Sequence, residues 1–198
     1  MTNLAIFISG RGTNMQSIIE YCKTGAIEAK VALVFSNKAD AKGLEIAKAH
    51  NIKTEIIEHQ KFSSRAAYDF AVVELLKKYN LDIICMAGYM RLVTEIFLDN
   101  IDIPILNIHP SLLPKYKGAN AVEDAFKAGE NIFGCTVHHV IKEMDAGEII
   151  IQKMVKVAKH DNLAAIKNKI LAQEHLAYKE ALNLIIKNNA FKKKIVKN

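Results

Sequence analysis

Cysteine is scarce: Cys22, Cys85 and Cys135 are the only three in 198 residues, they form no C-x-x-C pair, and their neighbours are apolar. An odd count of this kind suits buried reduced thiols and a cytoplasmic setting better than a disulfide scaffold. Long hydrophobic runs are also missing. No stretch reaches the roughly eighteen apolar residues of a membrane span, and the run at residues 4–8 is too short for a signal-peptide core, so neither a membrane nor an export route is expected. Repeats and low-complexity linkers are absent, which, with 51% hydrophobic content, predicts one domain over residues 1–188 around one core. The formal charge of +6 is concentrated at the end: Lys187, Lys192, Lys193, Lys194 and Lys197 stand in the last twelve residues without an acid among them. The rest is close to neutral. A solvated Lys-rich tail over 189–198 is therefore expected, and no nucleic-acid partner, since a binder spreads basic residues along a folded face.

Short apolar runs alternate with amphipathic segments. Residues 4–8, 29–35, 54–57, 83–86, 105–108 and 136–141 read as strands, and residues 14–24, 41–50, 63–79 and 119–129 as helices. Continuous apolar strands separated by helices imply a doubly wound α/β fold of Rossmann type, its sheet mostly parallel and covered by helices on both faces. Residues 147–157 predict one or two late strands and 162–186 a long closing helix. On that helix Leu163, Ile166, Ile170, Ala177, Ala181 and Leu184 keep to one face. Ligands of such sheets bind at the carboxyl ends of the strands, so polar residues there are the candidates for a site.

The first strand ends in Ser9-Gly10-Arg11-Gly12-Thr13-Asn14 and passes into a helix, where free N–H groups and the positive helix end suit a phosphate. An ordinary glycine turn with Thr13 or Asn14 as N-cap reads equally well. A dinucleotide fingerprint is excluded by Met15 in place of its third glycine and by the missing acid after the second strand; a Walker loop lacks its Gly-Lys-Ser/Thr.

Prolines are as scarce as cysteines. All three, Pro104, Pro110 and Pro114, fall in the fifth strand and the loop leaving it, and the same strand carries Asn107 and His109 two positions apart on one face. An amide and an imidazole converging on one oxygen form the donor pair that acyl transfer requires. Asp145, in the turn Glu143-Met144-Asp145-Ala146-Gly147, would favour the charged imidazole if adjacent. A metal is not expected: among His109, His138, His139 and Asp145, the two consecutive histidines face opposite ways on a strand and no metal-ligand spacing is present.

Taken together, Ser9 to Asn14, Met90-Arg91-Leu92, Asn107-Ile108-His109-Pro110-Ser111-Leu112-Leu113-Pro114 and Asp145-Ala146-Gly147 resemble the phosphoribosylglycinamide formyltransferase branch of the folate-dependent formyltransferases over nearly the whole chain. The resemblance implies transfer of a formyl group from 10-formyltetrahydrofolate, as co-substrate, to the amine of phosphoribosylglycinamide in purine biosynthesis, with no metal, by a monomer or homodimer. It implies Asn107, His109 and Asp145 as the catalytic trio. Gly12, Thr13, Asn14 and Glu174 would hold the phosphorylated acceptor; Arg65, Met90, Arg91, Leu92, Val93, Asn107, Ile141, Lys142, Glu143, Met144 and Asp145 would line the folate pocket. Residues 116–122, Tyr-Lys-Gly-Ala-Asn-Ala-Val, depart from the family pattern, where many relatives carry a proline before the glycine and a histidine-bearing segment after it. A deformylase of the same superfamily would carry an extra N-terminal domain, and a methionyl-tRNA formyltransferase an RNA-contacting C-terminal one.

Overall fold

The computed structural model describes residues 1–158 and 160–188; the expected Lys-rich tail at 189–198 lies outside the described residues. Seven strands, β1 (Thr2–Ile8), β2 (Ala29–Ser36), β3 (Thr54–Ile56), β4 (Ile83–Met86), β5 (Ile105–His109), β6 (Ile132–His139) and β7 (Ile149–Lys156), form one sheet in the order β3-β2-β1-β4-β5-β6-β7. Pairing is parallel from β3 through β5, and β6 runs antiparallel to both its neighbours. The helices are α1 (Thr13–Lys23), α2 (Gly43–Ala49), α3 (Arg65–Leu76), α4 (Glu95–Asp99), α5 (Ala121–Lys127) and α6 (Leu163–Lys187), with a 3-10 turn at His59–Lys61. The mostly parallel, doubly wound fold expected from the alternation is the fold observed.

Side-chain parity divides the core. Leu4, Ile6 and Ile8 of β1, with Ile83 and Cys85 of β4, pack beneath α1, α2, α5 and α6. Ala5 and Phe7, with Ile84 and Met86, pack on the other face against α3 and α4. Strands buried on both faces can be apolar throughout, which is why these runs do not alternate in sequence. The ends of two helices follow from single residues: the Ser64 Oγ accepts the Ala67 N–H at 3.1 Å and the Asn162 Oδ1 accepts the Ala165 N–H at 2.9 Å, each satisfying an orphan donor of a first turn.

Several boundaries differ from the sequence expectations. β6 begins at Ile132, four residues before the expected start, because its ladder with β7 carries Ile132 opposite Lys156 although Ile132 is exposed and Gly134 interrupts the pattern. Residues 147–157 contain one strand, β7. The buried stripe of α6 runs through Ile166, Ile170, Ala177, Ala181, Leu182 and Ile185, while Leu184, in the last turn of the helix, faces solvent. Neither α4 nor the 3-10 turn was legible, both being too short to show a period. The long α6 is bolted to the middle of the sheet by Tyr178, whose hydroxyl donates to the Met86 carbonyl at 2.7 Å. That contact ties a helix packed on β6, β7 and α1 to the carboxyl end of β4.

Candidate active site

From β1 the chain runs outward to β2 and β3, then returns to β4 on the other side of β1, which leaves a crevice at the carboxyl ends of β1 and β4. The glycine loop lies there. Gly12 is the residue before α1 and has φ of 74°, a left-handed conformation; a Cβ on it would stand 2.8 Å from the Gly43 Cα. No other residue fits both conditions. Thr13 and Asn14 lie inside the helix and neither caps it, so the N-cap reading is corrected: the cap is Gly12, without a side-chain bond, and the first-turn N–H groups stay free of side-chain partners. Asn14 turns inward instead and donates from Nδ2 to the Glu174 Oε2 at 2.7 Å. Glu174 is buried, and burial pushes its carboxyl up, opposed by the Asn14 bond and by the charge of His109.

One prediction follows from that carboxyl. With its folded pKa raised, the folded state holds a proton that the unfolded chain has already lost above about pH 4.3, so stability falls as pH rises from there through the raised value. Glu174→Gln is expected to flatten this decline in urea melts taken across that window. An unchanged decline would remove Glu174 as its source.

The expected trio is brought together. Asp145 is held in a left-handed conformation, φ 50°, at the turn after β6. Its Oδ2 lies 3.4 Å from His109 Nδ1 and accepts the Gly118 N–H at 2.8 Å. The other ring nitrogen, His109 Nε2, stands 2.8 Å from the Tyr116 carbonyl, so both nitrogens of His109 face oxygen acceptors. Asn107 Nδ2 lies 3.2 Å from His138 Nε2.

His138 was weighed in the sequence only as a metal ligand, and its place in the site was missed. Its Nδ1 donates to the His139 carbonyl at 2.9 Å, and burial pushes its pKa down, so Nε2 is bare and accepts from Asn107. The 3.7 Å approach of the same Nε2 to Asp145 Oδ1 is then proximity without an ion pair. One proton of the Asn107 amide is thereby directed at His138 and the second is left for another acceptor. Only the antiparallel register that sets Asn107 opposite His138 could have revealed this.

The remaining candidates form a rim. Met90 and Leu92 after β4, and Ile141 and Met144 after β6, are exposed apolar side chains. An ion pair between Lys142 and Glu95 joins the two loops. Arg65 donates to the Leu92 carbonyl at a long 3.4 Å, and the Arg91 guanidinium stacks 4.5 Å over the Tyr68 ring with its buried Nε unpartnered. Val93 packs into the second core and Glu143 is exposed. Among the described residues no group of three or more His, Cys, Asp or Glu side chains is arranged to hold a metal ion, and no helix is long and apolar enough to cross a membrane.

The formyl transferase family matches residues 2–182. Phosphoribosylglycinamide formyltransferase of Haemophilus influenzae is 42% identical over 178 residues, 90% of this chain and 84% of that protein. The chain belongs to the phosphoribosylglycinamide formyltransferase family. The solved structure of glycinamide ribonucleotide transformylase 1 from Symbiobacterium toebii superposes with a TM-score of 0.92 at 41% identity, covering 95% of this chain and 89% of that one. Against the trifunctional purine biosynthetic protein adenosine-3 of Bos taurus the chain is 40% identical over 182 residues and spans 18% of its length. The departing segment 116–122 still meets the trio through its backbone, since the Tyr116 carbonyl and the Gly118 N–H, at φ of 53° and 88°, are the groups that meet His109 and Asp145. Both contacts use main-chain groups and no side chain of the segment.

Proposed function

We propose that this chain transfers the formyl group of 10-formyltetrahydrofolate to the amine of phosphoribosylglycinamide, giving the N-formyl product and tetrahydrofolate. The observation that carries the reading is the convergence of His109 on Asp145 and of Asn107 on His138, itself 3.7 Å from the same carboxyl group, near Glu174 and the first-turn N–H groups of the glycine loop. When an amine adds to a formyl carbon, negative charge develops on the formyl oxygen. The second Asn107 N–H and the His109 Nε2–H are the donors for it, the latter exchanging its Tyr116 carbonyl for the reacting oxygen. Asp145 orients His109 through Nδ1 and relays, through water, the proton that the amine releases to the folate nitrogen as its bond to the formyl carbon breaks. Gly12, Thr13 and Asn14 hold the phosphate by backbone N–H groups at the start of α1, and Glu174 reaches the acceptor behind it.

The folate supplies the activated one-carbon group. An amphiphile with a flat ring at one end and carboxylates at the other matches the rim: Met90, Leu92, Ile141 and Met144 offer apolar contact, and Arg65 and Arg91 have uncommitted donors for carboxylates. Arg91→Ala is expected to raise KM for the folate about tenfold or more, with turnover changed far less, because a charge-assisted hydrogen bond contributes about 1.5–3 kcal/mol. Initial rates against folate concentration measure it, and an unchanged KM removes Arg91 from the pocket. Residues 1–188 act in this reading as one cytoplasmic domain on small molecules, as monomer or homodimer.

The test is to incubate the protein with 10-formyltetrahydrofolate, with and without glycinamide ribonucleotide, and follow tetrahydrofolate release. Release that requires the acceptor, with formylated product in equal amount, is expected. Release at the same rate without acceptor would identify a deformylase instead.

A further inference from the structure

The phosphate loop and the folate rim meet at one buried hydroxyl. Ser9 donates from Oγ to the Asn37 Oδ1 at 2.6 Å and accepts the Met90 N–H at 2.8 Å. Its own N–H donates to the Gly88 carbonyl at 3.1 Å. A serine hydroxyl has one proton to give and lone pairs to receive, so both roles are filled at once. The β1–β4 register ends at Phe7 and Met86, and beyond it Ser9 is what joins the two loops. Ser9 stands three residues before Gly12, the first of the residues that would take the phosphate. Met90 immediately precedes Arg91 and Leu92, which would take the folate.

The link extends into a ring of contacts. Asn37 is 2% exposed, and His59 Nδ1 lies 3.2 Å from both its amide nitrogen and its carbonyl oxygen, accepting from the first or donating to the second according to tautomer. The His59 ring stands edge-on to Tyr68, centroids 6.3 Å apart at 84°. Tyr68 shares a 2.9 Å hydrogen bond with the Tyr89 hydroxyl and carries Arg91 over its face. From Arg91 the chain leads back through Met90 to Ser9. No step of the proposed chemistry uses Ser9, Asn37, His59 or Tyr68, yet together they tie the loop that would hold one substrate to the loop that would hold the other.

We propose that Ser9 is a positioning residue through which occupancy of the phosphate loop sets the shape of the folate rim, so that each substrate tightens the binding of the other. The inference rests on the function proposed above. Ser9 is buried, so its hydroxyl either keeps the Asn37 and Met90 bonds or leaves the cost of an unsatisfied buried group, which favours discrete arrangements over gradual drift. A phosphate held on the N–H groups of residues 12–14 fixes the loop that carries Ser9 Oγ. The Met90 N–H follows that oxygen, and Arg91 and Leu92 follow Met90. Linkage makes the effect reciprocal.

Calorimetric titration of the full chain with 5,8-dideazafolate, a stable folate analogue, alone and with saturating glycinamide ribonucleotide, reads the coupling directly. The native protein is expected to bind the analogue about fivefold or more tightly when the ribonucleotide is present. In Ser9→Ala that ratio is expected to fall to within about twofold of one, with each ligand still bound alone, and in Ser9→Thr, which keeps the hydroxyl, to return. A merely structural role would lower thermal stability without moving the ratio. Circular dichroism melts establish that each variant is folded, and Ser9→Cys, near in shape but weak as donor and acceptor, replaces the alanine variant if that one does not fold. A native ratio retained in the folded alanine or cysteine variant overturns the proposal. A ratio of one in the native protein overturns the coupling and leaves the functional reading standing. Failure of the native protein to bind either ligand overturns both.

Discussion

His109→Ala is expected to lower turnover about a hundred- to a thousandfold, with KM for both substrates much less affected and the far-ultraviolet circular dichroism unchanged. The reason lies in what each nitrogen faces. Nε2 meets a carbonyl oxygen at 2.8 Å and Nδ1 meets Asp145 at 3.4 Å, so the ring is held from both sides. Alanine removes a donor that matters most when the reacting oxygen becomes negative, which is the signature of a lost transition-state interaction. Asp145→Asn keeps the shape and replaces the carboxylate that faces Nδ1, so a loss of similar order is expected from it. Because the two residues act as a unit, the double variant should be little worse than the poorer single one. Rates near native in His109→Ala, in folded protein, would end the assignment of this residue.

Gly147→Ala is expected to disable the enzyme almost as severely, although Gly147 is nowhere near a reacting atom. A Cβ at this position would stand 1.8 Å from the His139 carbonyl oxygen and 2.8 Å from its carbon. Those are backbone atoms at the end of β6, and no rotamer change can move them aside. The turn must therefore shift, and Asp145 sits two residues earlier in a left-handed conformation whose oxygen serves both His109 and the Gly118 N–H. Turnover is expected to fall about a hundredfold, because displacements of roughly an ångström cost that much in a preorganised site. Overpacking of this kind costs about 1–3 kcal/mol, or a few degrees in Tm for a chain of this length. Steady-state rates and a thermal melt measure the two effects. Near-native turnover would mean that the turn accommodates the methyl group without moving Asp145.

Much of the site was legible because strand parity is a local rule. Asn107 and His109, two apart at the end of an apolar run, had to share a face, and in the structure His109 meets Asp145 directly while Asn107 meets His138, itself 3.7 Å from that carboxyl group. His138 was not legible in this role. Its partnership with Asn107 depends on β6 running antiparallel to β5 in one particular register, and neither direction nor register is written in 132–139, where Gly134 and the exposed Ile132 blur the pattern. Ser9 was hidden for a related reason. It belonged to the phosphate motif by sequence, but its hydrogen bonds go to residues 28 and 81 positions away.

The alternation of apolar runs and amphipathic segments, by itself, determined a doubly wound sheet, its glycine loop and the chemistry-bearing residues at the strand ends, since these rest on interactions among neighbours in the chain. The tertiary structure decided the rest: which imidazole Asn107 meets, that Glu174 is buried against Asn14, that Leu184 faces water, and that Arg91 is held over Tyr68 with donors to spare. Each of these is a contact across many residues, chosen by packing among whole elements, and the free energy that selects it is shared over the core and is not stored in any one segment.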